Sequence, residues 1–168
     1  MKIELKNIKI NLAFSEETTM FMADVYFNGK KTAYAKNDGR GGCTFYNSYH
    51  APNNDEDLRQ AEAYCLSLPP KYVEEYDFQY DMNLEHFIDD LIGEELRKKE
   101  QKKLEKKMID ALMWGKPNGY SYTQVKFKIP LAQIPTIRLQ EVVDKYKKEF
   151  KEGDVFLNTN LEGLGIKL

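Results

Sequence analysis

The chain has 168 residues, 42% of them apolar and 31% charged, with 11 Tyr and 9 Phe. This is enough to bury a core without disulfides or metal, and it excludes global disorder. No stretch approaches the ~18 apolar residues of a membrane span, and the charged N-terminus lacks the apolar centre of a signal peptide. Cys43 and Cys65 are too few for a secreted disulfide scaffold, and no Asn-x-Ser/Thr acceptor occurs. The expectation is a soluble cytosolic protein, folded as a single domain over residues 1–168, with both thiols reduced.

The net charge of −2 hides an uneven distribution. Between Asp55 and Glu95 there are 13 acidic and 2 basic residues, and between Arg97 and Lys107 there are 7 basic and 2 acidic ones. Segregation of this kind implies either a partner with a strong field or pairing within the fold.

Residues 2–14 alternate apolar and polar, with a break in period between Leu5 and Ile8 that predicts a bulge. Ser15-Glu16-Glu17 reads as a polar turn. Residues 18–27 are rich in β-formers, Asn28-Gly29 is a strong hairpin signal, and 31–36 returns as a third strand. A fourth strand is expected over 43–49, after the glycine-rich run Asn37 to Gly42. Asp55 is placed as the N-cap of a helix that Pro69-Pro70 stops near Leu68. Residues 69–82 carry aromatics among acids and take no assignment. Asn83 caps the next helix, whose apolar stripe begins with Leu84, Phe87, Ile88, Leu91 and Ile92 and returns as Met108, Ile109, Leu112 and Met113. The stripe predicts one long helix over 83–114, either whole or broken near Gly93. Strands are expected at 120–129 and 155–160, joining the first sheet. A helix is expected over 136–151, with Gly153 beyond it as C-cap. The fold class is therefore α+β: an N-terminal antiparallel β-meander extended by later strands and packed with three helices, one of them long and charged. Helices on one sheet face leave the other for a partner or a second copy, so a homo-oligomer is compatible with this architecture.

Three constellations could carry chemistry. The loop Asn37-Asp38-Gly39-Arg40-Gly41-Gly42 can present N–H groups in a concave nest, with Arg40 beside them, for a phosphate or carboxylate. It lacks the endings of a phosphate-binding or dinucleotide loop, and its glycines also suit a plain wide turn. The lysines Lys98, Lys99, Lys102, Lys103, Lys106 and Lys107 can track a phosphate backbone, although Glu94 and Glu95 are spaced to pair with Lys98 and Lys99. The acids of the 55–95 tract, represented by Glu74, Glu75, Asp89 and Asp90, can imitate nucleic acid if they line one side. Catalytic signals are weak. Cys43 with His50 is a conceivable nucleophile pair, and the two Cys and two His match no compact zinc pattern. Asp89-Asp90 and Glu94-Glu95 are the acidic pairs that Mg²⁺ would need. Trp114 follows an apolar run and reads as core. No catalytic residue, cofactor or metal is assigned.

The runs Asn11 to Thr18, Val25 to Lys31 and Ala35 to Thr44, with Asn158-Thr159-Asn160-Leu161 near the end, resemble small uncharacterised proteins carried by bacteriophages and mobile elements of anaerobic gut bacteria. The resemblance is carried mainly by the first 50 residues and implies no functional residue. It implies a context in which small proteins bind and block host defence complexes. The expectation is thus a non-enzymatic inhibitor of a host protein or ribonucleoprotein complex, such as a CRISPR-type effector. Its contact would be made by the acidic tract, or by the glycine-rich loop with Tyr46 and Tyr49 as exposed aromatics. A nucleic-acid-binding accessory using the basic helix, and a nucleotide sponge using the loop, are the alternatives.

Overall fold

The computed structural model describes residues 1–74, 77–117, 119 and 121–168. Two compact units divide the chain, Met1–Leu96 and Arg97–Leu168.

The first unit is built on a four-stranded antiparallel sheet of β1 (Ile3–Ile10), β2 (Phe21–Phe27), β3 (Lys30–Asn37) and β4 (Phe45–Ser48), in that order. The expected bulge is present: the β1–β2 register slips between Lys6 and Lys9, where Asn7 takes a φ of 52°. Asn28 and Gly29 have φ of 50° and 86°, the left-handed pair that a two-residue hairpin demands. Strand alternation gives the sheet two unlike faces. On the inner face Phe21, Ala23, Val25, Phe27, Ala33 and Ala35 are buried. They pack against Ala61 and Cys65 of α1 (Asn54–Leu66) and against Leu84, Ile88 and Ile92 of α2 (Leu84–Met108). The outer face carries Met22, Asp24, Tyr26, Tyr34, Lys36 and Phe45. The stretch without a sequence assignment contains a short hairpin of β5 (Lys71–Val73) and β6 (Phe78–Tyr80).

Asn83 caps α2 as expected, its Oδ1 accepting the His86 N–H at 2.7 Å. The helix passes Gly93 unbroken, and the boundary between the units falls within it. It ends earlier than the stripe predicted. Residues 111–115 (Ala-Leu-Met-Trp-Gly) form a strand, β7, with all five residues buried. A short, fully apolar run fits a central strand as well as a helix, and periodicity alone does not separate the two. Asp55 is not the cap of α1. Asn53 holds that place at φ 66°, and Asp55 instead accepts the Ser48 hydroxyl.

In the second unit β7 is the middle of a three-stranded antiparallel sheet, between β8 (Thr123–Lys126) and β9 (Val155–Phe156). The later strands thus form their own sheet and do not extend the first one, because β7 supplies the edges they need. Leu112 packs with Leu131, Leu161 and Ile166, and with Leu139 and Val143 of α3 (Thr136–Lys147). The helix stops at Lys147, short of the expected end, and Gly153 lies in a later turn at φ 83°. Trp114 is core, stacked on Tyr146 at a centroid distance of 5.3 Å. No helix among the described residues is long and apolar enough to cross a membrane.

Candidate functional site

Asn37, at the end of β3, organises the glycine-rich loop. Its buried Oδ1 accepts the Thr18 hydroxyl and the Gly39 N–H, both at 2.8 Å, and its Nδ2 donates to the Gly42 carbonyl at 2.9 Å and to Thr44 Oγ1 at 3.2 Å. Gly39 turns its carbonyl towards the preceding loop, where the N–H groups of Glu16 and Glu17 donate to it at 2.8 and 3.2 Å. Only glycine fits there: φ is +84°, and a Cβ would stand 2.4 Å from the Phe14 carbonyl oxygen. The amides of Gly39, Arg40 and Gly41 donate to Asn37, Asp38 and Thr18. These three N–H groups are engaged within the unit, which takes them out of any anion nest, and Arg40 is exposed at the loop tip.

The loop faces α2 through Thr44. Its N–H donates to Glu85 Oε1 at 2.9 Å and its hydroxyl to Asp89 Oδ1 at 2.6 Å. A continuous chain of hydrogen bonds therefore runs from Thr18 through Asn37 and Thr44 to Asp89. Between the 15–19 loop, the 37–43 loop and α2 lies a cleft of about 660 Å³. Among the described residues four carboxylates line it, Glu16, Glu17, Glu85 and Asp89, and His86 is the one basic side chain on its walls. Burial pushes the Asp89 carboxyl above its ordinary range, the Thr44 hydroxyl opposes this, and the nearby Glu85 adds to it. His86 is held at the rim, Nδ1 3.2 Å from the Asp81 carbonyl and the ring edge-on to Tyr80 at 4.7 Å. Cys43 is exposed at the same rim, whereas Cys65 is buried and its thiol is pushed up to about 11. Among the described residues no three His, Cys, Asp or Glu side chains converge as metal ligands. The arrangement suits an organic cation, which would offset the repulsion of Asp89 by the nearby Glu85.

The structure thus brings Asn37, Gly41, Gly42 and Asp89 of the sequence candidates to one place and scatters the rest. Asp38 is exposed on the loop. Tyr46 and Tyr49 are not the exposed aromatics expected. Tyr46 is half-buried, its hydroxyl donates to Glu62 at 3.0 Å, and burial pushes it up to about 12. Tyr49 is half-buried beneath the Lys31 ammonium, and its hydroxyl donates to Asp24. Asp90 is ion-paired with Lys71. Glu74 is exposed beyond β5, and Glu75 lies outside the described residues. Much of the acidic tract is stitched into its own unit: Asp57 pairs with Lys30 at 2.7 Å and Glu56 with Arg59 at 3.0 Å. Lys98, Lys99, Lys102, Lys103, Lys106 and Lys107 all fall on the second half of α2, and Lys107 donates to the Tyr122 hydroxyl at 2.7 Å.

Sequence reasoning missed Glu16, Glu17, Thr44 and Glu85. The first two looked like an ordinary turn. The pairing of residue 44 with residues 85 and 89 depends on how α2 lies against the sheet, which no local pattern encodes. No protein-family model, no curated protein and no solved structure matches the chain.

Proposed function

We propose that the chain is a non-enzymatic binding protein of a phage or mobile element that inhibits a host defence complex, such as a CRISPR-type effector. It does so by taking a lysine or arginine of that complex into the acidic cleft. The observation that carries this reading is the cleft itself, with four carboxylates and one histidine on its walls. A guanidinium entering it would meet Asp89, a carboxylate whose charged form burial disfavours, and would restore that charge by pairing. The mobile-element setting rests on the resemblance of residues 11–18, 25–31 and 35–44.

The test is a tagged pull-down from lysate of a bacterial host, with and without nuclease, comparing the wild type with Glu16→Lys/Glu17→Lys. Both glutamates are exposed, so the double variant should fold. A stoichiometric host protein held by the wild type and lost by the variant is expected. Equal capture by both would remove the cleft from the interaction, and capture of nucleic acid alone would overturn the reading.

One observation favours a second reading, a nucleic-acid-binding accessory. The unit Arg97–Leu168 holds 16 basic and 9 acidic residues, and Lys102, Lys103 and Lys106 are exposed on α2. This reading predicts retention on heparin that falls steeply with salt.

A further inference from the structure

Residues paired across an antiparallel ladder share a face, so the register spells out the open side of the first sheet. One row across it is Lys9, Met22, Lys36 and Phe45, and the next is Lys6, Asp24, Tyr34 and Asn47. Tyr26 and Lys31 pair in the row beyond. Tyr34 lies 6.0 Å from Phe45 and 5.6 Å from Tyr49 between ring centroids, giving a continuous aromatic ladder. Phe45 and Met22 are 49% and 56% exposed, so both offer apolar surface on this face beside the ladder.

The charges on this face are opposite to those of the unit around it. The unit Met1–Leu96 holds 9 basic and 18 acidic residues, a net charge of −9. On the open face Asp24 is neutralised by Lys31 at 2.8 Å, and Glu4 by Lys2 at 2.9 Å. Lys6, Lys9 and Lys36 remain, and among the described residues they make no ion pair. Lys6 stands over the Tyr26 ring at 4.3 Å and Lys36 over Phe45 at 5.4 Å, so cations and aromatic rings alternate. Rings for base faces, with lysines between them for phosphates, make the combination that holds a single strand without reading its sequence.

We infer that the open face of the β1–β4 sheet is a stacking platform for a single strand of nucleic acid. The rings are tilted by 47° and 48° and already touch, so bases would lie on their outward faces and not between them. Phe45, the most exposed ring of the ladder, carries the strongest stack. The platform shares no lysine with the basic segment of α2 and no residue with the acidic cleft.

The test is fluorescence anisotropy of the full chain with a labelled oligothymidylate of ~10 nucleotides, within the usual site size of such platforms. At ~50 mM salt, saturable binding is expected, with a log–log salt slope near −2 for about three phosphates on a single strand. Phe45→Ala should weaken binding roughly 5- to 150-fold, and Lys36→Ala should lower the slope by about 0.7. Both residues are exposed, and unchanged far-UV circular dichroism would confirm that each variant folds. No binding at low salt would overturn the inference. So would binding that survives Phe45→Ala and Lys36→Ala but is lost in Lys102→Ala/Lys106→Ala. A dimer in sedimentation that Phe45→Ala dissolves, with no oligonucleotide bound, would assign the face to a second copy instead.

Discussion

Two aspartates of the first unit are perturbed in opposite directions, one by partners and the other by burial. Asp24 accepts hydrogen bonds from Lys31, Tyr49 and Asn7, which hold it well below its ordinary 3.8, at about 2. The contribution of such a group is full above the unfolded value and is lost as pH falls through the folded one. Asp24→Asn should therefore cost about 1–2 kcal/mol near neutrality, after allowing for solvent screening, and nothing in strong acid. Asp89 is shifted the other way, chiefly by burial. Its contribution is full below the ordinary carboxylate value and is lost as pH rises through the raised one. Asp89→Asn keeps an acceptor for the Thr44 hydroxyl and removes a disfavoured charge, so it should be neutral or stabilising at neutral pH. Urea unfolding at several pH values checks both signs. If the cleft takes a cation as proposed, pairing would offset the burial that disfavours the Asp89 charge, and Asp89→Asn should weaken that binding while leaving the fold intact.

At the scale of elements, legibility tracked how local the governing interactions are. The hairpin at Asn28-Gly29, the bulge near Asn7 and the Asn83 cap are each fixed within a few residues, and each was readable. The strand β7 was not, because its partners at 123–126 and 155–156 are remote in sequence. A tie that holds β7 comes from a single side chain. Buried Asn158 accepts the Met113 N–H at 2.7 Å and donates to the Ala111 carbonyl at 2.8 Å, supplying strand-like partners where β9 has ended. Asn158→Ala would leave a buried donor and acceptor unmatched, which costs about 1–3 kcal/mol for each group that finds no water. The expected result is a lowered thermal midpoint with a shift in Trp114 fluorescence, since Trp114 adjoins Met113 on the same strand. An unchanged midpoint would mean that water replaces the asparagine. The site was less legible than the fold for the same reason. Asn37 and the glycines announced a special loop, but the acidity of the cleft comes from Glu16 and Glu17 on one loop and from Glu85 on a helix.

At the scale of the whole molecule, the division into units coincides with a division of charge. Met1–Leu96 carries a net −9 and Arg97–Leu168 a net +7, although the total is only −2. A chain with its charges mixed evenly would interact weakly with either ion exchanger near pH 7. A chain with segregated charges presents a strong field of each sign, and an adsorbent responds to the local field and not to the sum. The protein should therefore be retained at low salt on both anion and cation exchangers. Raising salt shortens the Debye length from ~30 Å at 0.01 M to ~10 Å at 0.1 M, so both retentions should fade over that range. Lys102→Ala/Lys103→Ala/Lys106→Ala should weaken cation-exchange retention selectively, because these lysines are exposed on the second half of α2. Glu16→Lys/Glu17→Lys should weaken anion-exchange retention. If either set of substitutions altered both columns equally, the two fields would not be separable, and partners of opposite charge could not be assigned to different units.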